Sequence, residues 1–488
     1  MVRRVLGLLT IAFLAGALVA PSAALAAGKV ITVGPPSPGG DDTAAVQTAL
    51  NGCIGAPPGC VVQLRAGTYH TSQLYADNFR GTLKGMGKGH TTIASLSVLT
   101  VNWYDWNALP PTGQCIPNTP GPGGNPCKWA HYIAFDDGIV AISDLTIDTS
   151  ATRIGPYVFF GTNVDIAFAL NFEGLTRIDA SVDRVDVHGG FDLTGGSFGS
   201  DFNTGNGINY VEVPGASGGS FAVRDSSVER VQAAITPGPV INGQVTMTGN
   251  TISGVDIGMV VNGPSGTFEI ANNRIRADNP DPVEQDHVGI IVAPSGMETG
   301  LAARFSIHDN AITAVDTCGC NMLGMVLADA VGGLPHWFRA AVLLNTVSLP
   351  GTYILDDNVK EGIETDNIAG DLISGNTIKG TVTGTLDAIA LWSNDPSWLP
   401  STGNAVLANN VSGIQIDPAN AWSGQILLDP GTASNLVVCL RPTDTVADYG
   451  TGNKVVGCDP PGPTTKVATR GAPSLTHILS LEGKPFLP

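Results

Sequence analysis

Asp256, Asp278, Asp281, Glu284, Asp286, His287 and Asp316 fall at the turns expected before one sheet of a repeat, where they could converge. Carboxylates held close together raise one another's pKa and so place a general acid beside a general base. A histidine among them changes charge near neutrality and can act as the base. The same hard oxygen ligands suit calcium. The spacing nominates Asp256, Asp286 and His287 as catalytic, and Asp278, Asp281, Glu284 and Asp316 as calcium ligands. The competing reading is a solvated acidic turn. A second acidic group, with Asp356, Asp357, Glu361, Glu364 and Asp366, reads as a solvated face. Trp103, Trp106 and Trp392 offer flat faces on which a sugar ring could stack.

Such residues need a scaffold, and a repeat supplies it. Phe268-Glu-Ile-Ala-Asn-Asn-Arg-Ile275 and Phe305-Ser-Ile-His-Asp-Asn-Ala-Ile312 share one pattern: apolar, any, apolar, two small or polar residues, Asn, any, Ile. Val245 to Ile252 repeats it, and so do stretches near Asn358, Asn376 and Asn410. Alternation with period two marks short strands with one buried face. Asn is at home in tight turns. A strand unit recurring every twenty or more residues, with no helical periodicity, predicts a β-solenoid. Asn250, Asn273, Asn310, Asn358, Asn376 and Asn410 are expected to stack as an amide ladder at one corner. Runs such as Gly207-Ile208-Asn209-Tyr210 and Ile257-Gly258-Met259-Val260 form another sheet. Its outward positions, including Asn209, Gly258, Val260 and Ala390, look mostly apolar or small.

Residues 1–27 read as a signal peptide, with Arg3 and Arg4 before an apolar run and Ala24-Leu25-Ala26 as the cleavage site. No later segment is apolar enough to span a bilayer, so membrane insertion is not expected. The formal charge is −18. Removing the leader takes away two arginines and leaves 22 basic against 42 acidic residues, or −20. Such a surface argues against nucleic acid as a partner. The eight cysteines fall into close pairs: Cys53 with Cys60, Cys115 with Cys127, Cys318 with Cys320, and Cys439 with Cys458. Local disulfides in an oxidising compartment follow, so the protein is expected to be secreted or on the cell surface. The Pro-rich segment 103–129 interrupts the repeat as a loop insertion, and 461–488 reads as a tail.

Near the start, Asp41-Asp42-Thr43 opens a short helix at 42–51, with Asp or Thr as its cap. An apolar strand, Ala66-Gly67-Thr68-Tyr69, Gly85-Met86-Gly87 and Thr91-Thr92-Ile93 follow. This opening resembles the start of pectin-lyase-like proteins. The resemblance implies an all-β fold: a right-handed parallel β-helix solenoid over residues 28–460, with an N-terminal capping helix and long inserted loops. It also implies a groove on the first sheet and an extracellular polysaccharide as partner. The motifs of particular enzymes appear only in pieces. Asp136-Asp137, Val187-His188-Gly189-Gly190 and Thr365-Asp366-Asn367 are fragments of the polygalacturonase set in the wrong order. Asp281-Pro282-Val283-Glu284 looks like a mannuronan epimerase motif with Val in place of His. Two functions remain open. One is a lyase, epimerase or hydrolase of acidic glycans; the other is a non-catalytic extracellular binding module.

Overall fold

The computed structural model describes residues 28–96, 129–151, 167–190, 206–213, 215–279, 286–293, 302–315, 321–328, 338–350, 360–380, 386–393, 399–414 and 424–459, together with a few short strand pieces. These residues form a parallel β-solenoid of stacked coils. One full coil runs through Ala233–Pro237, Val240–Thr248 and Thr251–Val255, one strand in each of three sheets. The next coil repeats this as Ile257–Asn262, Pro264–Ala271 and Arg274–Ala277, each strand in parallel register with its predecessor. The pectin-lyase-like fold implied by the sequence is therefore present.

The core is built of columns, because register fixes which side chains meet. Ile235, Met259, Ile290, Met325, Ile363, Ile389 and Ile426 lie opposite one another along the first sheet. Phe268 stacks on Phe305 with ring centroids 4.6 Å apart. A single buried cluster extends from Val33 to Val446. The helix Thr43–Asn51 places Val46, Ala49 and Leu50 in that same cluster. Asp42 stands at its N-cap position without capping it. Its carboxylate instead accepts the backbone N–H groups of Ser37 (2.9 Å) and His70 (3.2 Å), tying two strand ends together.

The amide ladder forms, with two changes of member. Asn250 donates through Nδ2 to Asn273, Asn273 to Asn310, Asn310 to Asn345, Asn345 to Asn376, and Asn376 to Asn409, at 2.9–3.0 Å. Asn358 lies outside the described residues, and Asn345 takes the place expected for it. Asn410 does not belong to the ladder; it opens the next strand, and Asn409 holds the corner. The reason is the backbone. The residue before each ladder position turns left-handed, as at Gly249, Asn272, Asp309, Leu344, Gly375 and Ala408. The asparagine then stands one residue later, with its side chain turned inward. A second ladder that sequence reading missed, Asn404 to Asn435 to Asn453, occupies another corner.

A column of glycines in the first sheet lets successive coils pack closely. Gly258, Gly289, Gly324 and Gly362 fall opposite one another in the register. A Cβ at Gly289 would meet the Gly324 carbonyl oxygen at 2.4 Å and Ile312 Cγ2 at 2.3 Å. Gly258 is thus part of this column and not of the outward face. Among the described residues two disulfides form, Cys53–Cys60 and Cys439–Cys458. The other two expected pairs involve side chains outside the described residues.

Candidate active site

The register sorts the outward side chains of the first sheet into columns that run along the solenoid. One column reads Tyr75, Ala134, Asn171, Asn209, Thr236; one residue on from the Ile235–Met259 pair it continues through Val260, Ile291, Val326, Glu364, Ala390, Leu427. Beside it, Asp77 pairs with Asp136 and Asp136 with Glu173, on three consecutive coils. The face therefore has three zones. It is polar and acidic at the N-terminal end. In the middle it is apolar, where Ile257, Val260, Val288, Ile291, Leu323 and Val326 form a separate buried cluster. It is acidic again at Glu361, Glu364, Asp366 and Asp387. The expectation of an apolar or small outward face holds for the middle zone and again at Ala390 and Leu427.

In the N-terminal zone, strand spacing sets the three carboxyl-bearing residues about 4.8 Å apart from coil to coil. Asp77 is exposed, Asp136 buried, and Glu173 only 4% exposed. The Tyr75 hydroxyl donates to Asp136 Oδ2 at 2.7 Å. Burial, then the negative charges of Asp136 and Asp137, push the Glu173 carboxyl well above the usual range. Burial and Asp137 also raise Asp77. Asp137 is held apart by the turn, accepting the backbone N–H groups of Thr176 (2.8 Å) and Arg177 (3.0 Å). The column thus puts the buried Glu173, whose carboxyl is pushed well up, on one face with the exposed Asp77 two coils away. That is the polarity general acid–base catalysis requires.

The acids singled out from the sequence sit elsewhere. Asp256 and His287 are brought together, His287 Nε2 lying 3.9 Å from Asp256 Oδ1, and both are buried at the turn leading into the first sheet. His287 Nδ1 lies 2.5 Å from the Val315 carbonyl, which fixes the proton on that nitrogen. Asp278 accepts the Gly254 N–H at 2.8 Å and pairs with Arg276, so its carboxylate serves the turn. The side chains of Asp281, Glu284, Asp286, Asp316, Trp103 and Trp106 lie outside the described residues. Among the described residues no group of three or more His, Cys, Asp or Glu side chains is arranged to hold a metal.

Of the second acidic group, Asp356 and Asp357 lie outside the described residues, and the other three members are not a solvated face. Glu361, Glu364, Asp366 and Asp387 are all buried. Burial, with Glu364, Asp387 and Asp366 close by, pushes Glu361 well above the usual range. The Trp392 indole N–H lies 3.2 Å from each Glu361 oxygen, and Trp392 is itself buried, so its ring is not an open stacking platform.

A sequence signal for the carboxylate column did exist. Leu74-Tyr-Ala-Asp77, Ile133-Ala-Phe-Asp136 and Leu170-Asn-Phe-Glu173 share apolar-any-apolar-acid. Two inward residues bracket each motif, so the acid must face out.

No family model matches this chain, and no curated protein sequence does. Solved structures do match. The catalytic unit of a thermostable GH87 alpha-1,3-glucanase from Streptomyces thermodiastaticus aligns over 91% of this chain and 71% of its own, with 13% identity and a TM-score of 0.51. The A-module of the Azotobacter vinelandii mannuronan C-5 epimerase AlgE4 covers 88% of this chain and 96% of its own, at 14% identity and a TM-score of 0.42. The chain has the pectin-lyase-like β-helix fold. At these identities the likeness is one of backbone, and the chemistry has to be argued from the side chains.

Proposed function

We propose that this β-helix is an exported enzyme that hydrolyses a polysaccharide on the N-terminal zone of its first sheet. The observation that carries the proposal is the column Asp77–Asp136–Glu173, three carboxyl groups in register on one outward face. Glu173, whose pKa is raised by burial and by the neighbouring Asp136 and Asp137, gives its proton to the glycosidic oxygen as the bond from that oxygen to the sugar carbon breaks. Asp77, exposed and two coils from Glu173, leaves room for a water and takes its proton, and the hydroxyl adds to the same carbon. The Tyr75 hydroxyl holds Asp136 as an acceptor. The Cys53–Cys60 and Cys439–Cys458 bridges support an oxidising, extracytoplasmic location. The buried apolar face of the helix Thr43–Asn51 supports its role as the cap of the solenoid.

The test is the release of reducing ends from neutral and acidic polysaccharides, with and without added calcium. Glu173→Gln and Asp136→Asn are expected to lower the rate by about 10²–10⁴-fold with folding intact. Unsaturated products would show elimination instead of hydrolysis. Variants as active as the parent would remove the column from the mechanism.

A further inference from the structure

We propose that the site takes a neutral, hydroxyl-rich glycan, held by an uncharged subsite of Asn171, Asn206, Asn209 and Thr236. This rests on the hydrolase reading for the position of the reaction, though the subsite stands on its own geometry. Asn171 shares its strand and outward face with Glu173, so the subsite begins beside the proton donor. From there it extends over the next two coils, through Asn209 and Thr236. The three side chains form a directed chain of hydrogen bonds. Thr236 Oγ1 donates to Asn209 Oδ1 at 2.9 Å, and Asn209 Nδ2 donates to Asn171 Oδ1 at 2.6 Å. That chain fixes which amide protons remain to meet a ligand.

Asn206, on the same strand as Asn209, adds an independent observation. It is 2% exposed, and its Oδ1 has no hydrogen-bond partner. A buried carbonyl oxygen without a donor is costly, and a sugar hydroxyl on this face would satisfy it. An amide and hydroxyl lining, able both to donate and to accept, matches hydroxyl groups, which do the same.

Charge separates neutral sugars from uronates. Among the described residues, no Lys or Arg stands at an outward position of the first sheet from Tyr75 to Val260. Arg177, at the following turn, is tied to Asp179 (3.0 Å) and to the Gly218 carbonyl (2.8 Å). A uronate carboxylate would therefore approach the carboxyl groups beside Glu173 with no Lys or Arg on this face to offset the repulsion.

Binding is measured by calorimetry on the full-length exported protein. The probes are neutral oligosaccharides of glucose, mannose and galactose, against galacturonate and mannuronate oligomers of equal length. At least one neutral series should bind and be cleaved, and the uronates should bind at least tenfold more weakly. Asn209→Ala should weaken neutral binding about tenfold, the loss of one to two hydrogen bonds. Thr236→Val, which keeps the volume, should act in the same direction if Asn209→Ala is poorly folded. Neutral binding that depends on Asn209, with no cleavage, keeps the subsite and defeats the hydrolase reading. Glu173-dependent cleavage of uronates in preference to neutral glycans keeps the hydrolase reading and defeats the subsite. Binding of neither class defeats both.

Discussion

Asn310→Ala is the perturbation the architecture answers to most directly. Asn310 sits in the middle of the ladder and is 1% exposed. Its Nδ2 donates to the Ile270 carbonyl (2.8 Å) and to Asn345 Oδ1 (2.9 Å). Its Oδ1 accepts the Asn273 backbone N–H (3.0 Å) and Asn273 Nδ2 (2.9 Å). Alanine removes all four and leaves the Ile270 carbonyl and the Asn273 N–H buried with one partner fewer. At about 0.5–1.5 kcal/mol per bond the loss is about 2–6 kcal/mol, and the orphaned groups put it in the upper half of that range. Asn410→Ala is the control: among the described residues its side chain accepts the exposed Ser412 hydroxyl (2.9 Å) and joins no ladder, so the cost should be about 0.5 kcal/mol or less. The assay is denaturant unfolding with amide hydrogen exchange. A stacked solenoid can open locally, and the loss should appear first in the coils that hold Asn273 and Asn345. Equal effects of the two substitutions, or exchange that rises uniformly along the chain, would refute the ladder as a cohesive element.

Further outcomes follow from the same geometry. Gly289→Ala should destabilise by about 1–3 kcal/mol or more, because the new Cβ meets backbone at 2.4 Å; Gly34→Ala, in open space, should be neutral or slightly stabilising on the same thermal melt. The folded-state pKa of Glu173 lies above its unfolded value, so its protonated form favours folding below about pH 4.3, and that contribution is lost as pH rises through the folded pKa. Glu173→Gln should therefore leave stability unchanged near pH 4 and raise it at pH 8 while activity falls. A stability difference independent of pH would contradict the burial argument.

The sequence alone determined the kind of fold. Alternating apolar residues can bury one face only as strands, and the Asn-x-Ile punctuation marked where each strand turns. That was enough to find the corner ladder through Asn250, Asn273, Asn310 and Asn376. It misassigned Asn410, because the left-handed residue before a corner can be Ala408 as readily as a glycine, and residue type does not show which member of a pair turns. The site was decided by tertiary structure. Asp77, Asp136 and Glu173 are separated by scores of residues, and only the register of three coils makes them neighbours. Asp256 and Asp278, close in sequence to the other acids of their turn, went instead to a buried histidine and to an arginine. Proximity along the chain measured neither burial nor facing, and those two quantities set which carboxyl keeps its proton.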